Sequence, residues 1–164
     1  MIYRRKNKEY SGQIDSVKHP KIIEDYSSCV VNVGRIVQRL VKYAPFGSLD
    51  ELNEIRIMDN DPDEIGFARY FKEEKIIELF VNDILGWQPW LLKRSYIFPY
   101  LTIGIALGHE LDHHVNRLNN SRDKEHQAEV NAFKYVYPSL GFFKPIAKIV
   151  SYLANVRKKN EIKA

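Results

Sequence analysis

Cysteine is all but absent. Cys29 stands alone in 164 residues, which excludes an internal disulfide and any cysteine-based zinc finger, and it is read as a packing residue. Long apolar runs are missing too. The longest, around residues 97–107, contains Pro99 and Thr102 and falls short of the roughly 20 residues that span a bilayer, so it reads as a buried helix. The amino end carries Arg4, Arg5 and Lys6 with no apolar stretch behind them, so it does not read as a secretory signal. With the single cysteine, this points to a reducing, cytoplasmic setting and no membrane association. Charge of one sign is also scarce. The net +4 gathers at the ends, in Arg4, Arg5, Lys6 and Lys8 and then in Arg157, Lys158, Lys159 and Lys163. No aromatic-interleaved basic stripe accompanies it, so nucleic acid is not an expected partner.

What remains is the composition of an ordinary globular domain, 45% hydrophobic and 28% charged, at a length that buries a core without staples. Residues 1–18 are polar without sustained periodicity and read as a flexible N-terminal segment, of the kind that can also lie in a cleft and inhibit. The domain itself covers 19–158, and 159–164 form a basic tail. Oligomeric state is not legible.

The chemistry concentrates in Gly108-His109-Glu110-Leu111-Asp112-His113. This is H-E-x-x-H. On a helix, His109 and His113 fall on one face a turn apart, where two imidazoles can take two corners of a tetrahedral zinc site. Glu110 lies between them, close to the metal but off it, suited to accept a proton from a water that the ion activates. Catalytic zinc usually keeps three protein ligands, so a third should follow nearby, and Glu125 is the best placed. Glu129, one turn on, suits a hydrogen bond to a liganding histidine. Four of the five histidines fall between His109 and His126, which fits one metal centre better than scattered packing residues.

The pattern resembles the gluzincin clan of zinc metallopeptidases, in which H-E-x-x-H is followed by E-x-x-A-D or E-x-x-A-N on the next helix. Here the second element is Glu125-His126-Gln127-Ala128-Glu129, with Glu129 where Asp or Asn is usual. The run Gly104-Ile105-Ala106-Leu107-Gly108 ahead of the motif is similar to the glycine-flanked form in neprilysin-like enzymes, and the short chain to compact forms such as the ImmA/IrrE-like peptidases. The Phe-Asp common after the second histidine in neprilysin-like enzymes is replaced by His114-Val115. The likeness covers about residues 66–133. It implies an α+β, zincin-like domain holding one zinc ion through His109, His113 and Glu125, with Glu110 as general base in peptide-bond hydrolysis. It also implies an edge strand that receives an extended peptide or protein substrate, for which residues 76–82 are the expected segment. A donor to the oxyanion is needed as well, and Tyr135, Tyr137 and His126 are not ranked by sequence. The alternative is a catalytically silent, zinc-stabilised domain that binds peptides or proteins.

The rest of the chain frames this centre. Ile22, Tyr26, Val30, Val33, Val37 and Leu40 recur at helical spacing between Pro20 and Pro45-Phe46-Gly47, predicting one long amphipathic helix. Residues 54–58, 66–71 and 75–81 have strand character and predict a three-stranded sheet, the last two strands joined as a hairpin through Lys72-Glu73-Glu74. The acids of Asp59-Asn60-Asp61-Pro62-Asp63-Glu64 read as a solvated turn rather than a cation site. Trp87 and Trp90 read as core caps before cleft walls. The metal helix is expected over 99–117, with Gly104 and Gly108 admitting a close neighbour. Asp123 is expected to cap the helix that bears Glu125 and ends near Pro138. A closing helix is expected over 142–156, with Ile146, Ile149, Val150 and Leu153 as its buried stripe.

Overall fold

A computed structural model describes residues 8–10, 13–14, 17–27, 29–63, 66–86, 88–117, 124–143 and 145. Two short strands, β2 (Gln13–Ile14) and β3 (Val17–Lys18), pair with each other beside a mixed five-stranded sheet. That sheet contains β1 (Lys8–Tyr10), β4 (Lys21–Asp25), β5 (Glu54–Met58), β6 (Ala68–Phe71) and β7 (Ile76–Phe80), in the order β1-β4-β5-β7-β6. The inner pairs β4/β5 and β5/β7 are parallel, while β1 and β6 are antiparallel additions at the two edges. The helices are α1 (Val33–Lys42), α2 (Val81–Gly86), α3 (Trp90–Lys93), α4 (Ile97–Val115) and α5 (Lys124–Val136). A 3-10 turn over Tyr137–Phe143 follows α5. The architecture is therefore α+β. The core lies between the sheet and α1 and α4, with Ile55, Ile57, Ile77 and Leu79 meeting Ile36, Val37, Leu40, Ile103 and Leu107. No helix among the described residues is long and apolar enough to cross a membrane.

Two sequence expectations are corrected here. The long helix from Pro20 is a strand followed by a shorter helix. Ile22 and Tyr26 lie four apart, and a spacing of four is a multiple of the strand period as well as about one helical turn. In β4 the even period wins: Ile22 and Glu24 are buried and Lys21 and Ile23 are less so. The helix starts only where Asn32 caps it, its side-chain oxygen accepting from the Arg35 amide at 3.0 Å. The sheet thus gains β4, and β1 pairs with it, so part of the N-terminal segment adds a strand at the far edge.

The second correction concerns the edge. Residues 76–82 were expected to form it, yet β7 sits between β5 and β6. Ile76, Ile77, Leu79 and Phe80 are all buried, as in a strand covered on both faces, and the edge falls to the half-buried β6. The hairpin through residues 72–75 is as expected. Of the closing helix expected over 142–156, residues 142 and 143 belong to the 3-10 turn and 144 and 146–156 lie outside the described residues, as do Asp123, Glu64, Trp87 and the side chain of Trp90.

Candidate metal centre

Helix α4 carries the centre because its sequence buries an apolar face and still presents imidazoles at one end. Pro99 sits in the first turn, where its missing amide breaks no helical bond, and Asn116 ends the helix. The apolar positions Leu101, Ile103, Leu107 and Leu111 anchor it in the core, leaving His109 and His113 half-buried on the flank. Helix α5 crosses close by. A Cβ on Gly104 would stand 2.9 Å from Val136 Cγ1, and one on Gly108 would meet the backbone of Ala132. The two glycines therefore admit α5, as their placement in the sequence predicts.

That approach delivers Glu125, in the first turn of α5, to the imidazoles. His109 Nε2 and His113 Nε2 are 3.0 Å apart, and the Glu125 carboxylate places one oxygen 3.3 Å from each of them. A tetrahedral ion held at about 2.0–2.2 Å separates its ligand atoms by roughly 3.3–3.6 Å, close to these three distances. Two imidazoles and one carboxylate are also a donor set that zinc accepts. Among the described residues, His109, His113 and Glu125 are the only such group whose ligand atoms converge. The sequence-predicted triad is thus brought together as a group able to hold a metal ion.

Glu110 is only 8% exposed, yet it lines the grooves beside the centre together with His109 and Glu125. Burial pushes its carboxyl up to about 7, the Glu125 charge adds to the rise, and a hydrogen bond from the Tyr70 amide partly offsets it. Tyr70 thus joins edge strand β6 to the motif. Its hydroxyl lies 2.9 Å from Nδ1 of the fully buried His114, whose Nε2 lies 2.8 Å from the Asp50 carbonyl oxygen. Since the carbonyl can only accept, Nε2 carries the proton, and Nδ1 accepts from Tyr70. Burial lowers the His114 pKa, in keeping with a neutral ring. One residue past the second histidine of the motif, His114 ties α4 to the edge strand and to the 46–51 turn. Nothing in the spacing pointed to this tie; the only signal was a histidine where the helix faces the core.

The remaining candidates fall as follows. Glu129 is exposed and lines the groove beside Glu125 and His126. Tyr135 donates to Asp112 at 3.2 Å, and the Tyr137 ring packs at a tilt against Phe133. The acid-rich turn is tied up internally: Asp59 accepts from Ser27, while Asp61 accepts from the Asp63 and Gly66 amides and, with Asp63, grips Arg69. Buried Cys29 has its thiol pushed upward by burial, in line with packing. No protein-family model, no curated protein and no solved structure matches the chain.

Proposed function

We propose that the chain is a zinc-dependent peptidase of the gluzincin type, acting on peptide bonds through a glutamate general base. The observation that carries this reading is the meeting of His109, His113 and Glu125 ligand atoms beside a buried carboxylate whose pKa lies near neutrality. His109, His113 and Glu125 would hold the ion. When bound, zinc supplies Lewis acidity, polarising a carbonyl and making water a competent nucleophile near neutral pH.

Every other part belongs to the chain. Glu110 takes a proton on its carboxylate and passes it to the leaving amine, a task suited to a group whose pKa lies near the working pH. Its burial keeps bulk water from competing for that proton. Glu129 is proposed to hydrogen-bond a ligand imidazole and fix its ring. His126 is proposed as the donor to the oxyanion, because Tyr135 is committed to Asp112 and Tyr137 packs on Phe133, whereas His126 faces the groove.

The substrate strand has a place as well. Phe80 donates its amide to Phe67, so along the antiparallel β6/β7 ladder the amide and carbonyl of Ala68 and the carbonyl of Tyr70 face away from β7, while the Tyr70 amide is given to Glu110. Ala68 also lines the grooves on both sides of the centre. An extended peptide is proposed to add there as a further strand, bound largely through main-chain hydrogen bonds. The test is cleavage of a quenched fluorescent peptide library. Activity that chelator abolishes and stoichiometric zinc restores is expected; a zinc-loaded protein that cuts nothing would leave a metal-held binding domain and overturn the peptidase reading.

A further inference from the structure

The cleft at the metal centre has two unlike halves. Ala68, His109, Glu110 and Glu125 border both, so the centre lies where the halves meet. One half, of about 860 Å³, is walled by apolar side chains such as Ile84, Leu101 and Ile105; among the described residues it has no lysine or arginine, and Glu129 adds a negative charge. The other, of about 470 Å³, is bordered by Arg69, Lys72 and Arg117. Strand β6 runs from one to the other. Phe67, just before the strand, borders only the apolar half, Ala68 borders both, and Arg69, Tyr70 and Lys72 border only the basic half.

The cations of the basic half are open to a ligand. Arg69 is held by Asp61 and Asp63 at 2.7 and 2.8 Å, and Arg117 by Glu51 and the His114 carbonyl at 2.8 and 3.0 Å. A guanidinium has five N–H donors, so each arginine is fixed by two and keeps others to give, and the two side chains are 28% and 19% exposed. Lys72 is exposed, and its ammonium engages none of the described residues. Asp61 also borders this half but does not cancel the charge at its surface. Its side chain is 1% exposed, the oxygens being taken by the Asp63 and Gly66 amides and by Arg69.

An extended chain added along β6 passes over both halves, so residues on opposite sides of the bond meet opposite surroundings. Over the basic half a carboxylate gains a partner and a lysine is repelled. Over the apolar half the same carboxylate loses water beside Glu129 and gains nothing.

We infer that the basic half takes a carboxylate of the bound peptide, with Lys72 as its direct partner and Arg69 and Arg117 adding to the positive field. Lys72 is then a specificity residue for the reaction proposed above, and the inference rests on that reading for the course of the peptide along β6.

The test uses end-blocked peptides with Asp, Asn or Lys at one position, scanned along both sides of the bond. Binding is measured with the zinc-loaded Glu110→Gln chain, and cleavage with the zinc-loaded full chain. Asp is expected to bind about fivefold more tightly than Asn on one side of the bond only, the upper worth of an exposed ion pair, and added salt should shrink that advantage. Lys72→Glu should abolish the advantage and pass it to the Lys peptide, whereas a carboxylate bound straight to the ion would keep it; Lys72→Met should remove it without reversal. A second series, with neutral side chains and either a free or an amidated carboxyl end, separates the two sources of the group: a free-end advantage lost in Lys72→Glu assigns the half to the terminal carboxylate. Equal binding of Asp, Asn and Lys peptides with no free-end effect, or an advantage that survives in Lys72→Glu, overturns the inference. The expected ranking in binding with no cleavage of any peptide supports the basic half and overturns the peptidase reading instead.

Discussion

Gly108 of α4 lies so close to Ala132 of α5 that an added Cβ would collide with the Ala132 carbonyl oxygen. Backbone cannot rotate away as a side chain can, so a methyl there must push the helices apart, and Glu125 would move with α5. Gly108→Ala is therefore expected to cost about 1–3 kcal/mol of stability, as overpacking does, despite alanine's better helix propensity. It should also weaken zinc binding. Gly86, where an added Cβ meets nothing within 4 Å, is the control, with an expected change within roughly 0.5 kcal/mol on mutation to Ala. Urea unfolding and competition with a chromogenic chelator read both quantities. Unchanged zinc affinity in Gly108→Ala would show that this contact does not set the reach of Glu125.

The two glutamates of α5 should separate by role. Glu125 brings its carboxylate to both imidazoles although its side chain is 82% exposed, whereas Glu129 lines the groove one turn further on. Glu125→Ala is expected to abolish stable zinc binding, and Glu129→Ala to weaken it about 10–100-fold, the usual effect of losing a partner that orients a ligand. Zinc titrations of both variants decide the matter. The opposite order would make Glu129 the ligand, and no effect in either would remove the triad from consideration.

The site was more legible in the sequence than the fold. His109, His113 and Glu125, which the fold brings together, stand out because metal chemistry demands particular donors at particular helical spacings. Gly104 and Gly108 carry a similar signal, since small residues one turn apart on a helix suit a close neighbour. The strand at Lys21–Asp25 was hidden because Ile22 and Tyr26 fit either period, and only the capping residue Asn32 marks where the helix begins. Strand order was hidden for a different reason. Ile76-Ile77 and Leu79-Phe80-Val81 are apolar on both faces, a signal of an interior strand that the alternation around Glu78 obscured. The Tyr70–His114 tie depends on long-range packing, which no local pattern encodes.

Glu110→Gln tests the division of labour within the motif. Glu110 is not one of the three residues whose ligand atoms converge, so the amide should leave zinc content at about one ion per chain. Proton transfer is lost with the carboxylate, so hydrolysis should fall by roughly 100-fold or more. Elemental analysis and peptide cleavage are measured on the same preparation. Loss of the metal, or cleavage at the wild-type rate, would show that Glu110 has been assigned the wrong role.

The same substitution should reveal the Glu110 carboxyl through stability, with zinc removed. In the fold its pKa is about 7 against an ordinary 4.5, so the folded chain holds this proton more tightly than the unfolded one. The stabilisation that follows is complete below about pH 4.5 and is lost as pH rises through about 7. His114 works in the opposite direction. Burial lowers its pKa from the ordinary 6.5, so the unfolded chain binds the proton more readily and stability is lost as pH falls through that value. Because the two effects oppose each other, the wild-type curve alone does not identify either, but the difference between wild type and Glu110→Gln cancels His114. Glutamine does not titrate, so the variant should gain on wild type between pH 4.5 and pH 8 by up to about 3 kcal/mol, the free energy of a shift of this size. Urea unfolding of both proteins at several pH values, in the presence of chelator, measures that gain. A difference that stays constant with pH would mean that Glu110 titrates like an exposed carboxylate and is not poised near neutrality for proton transfer.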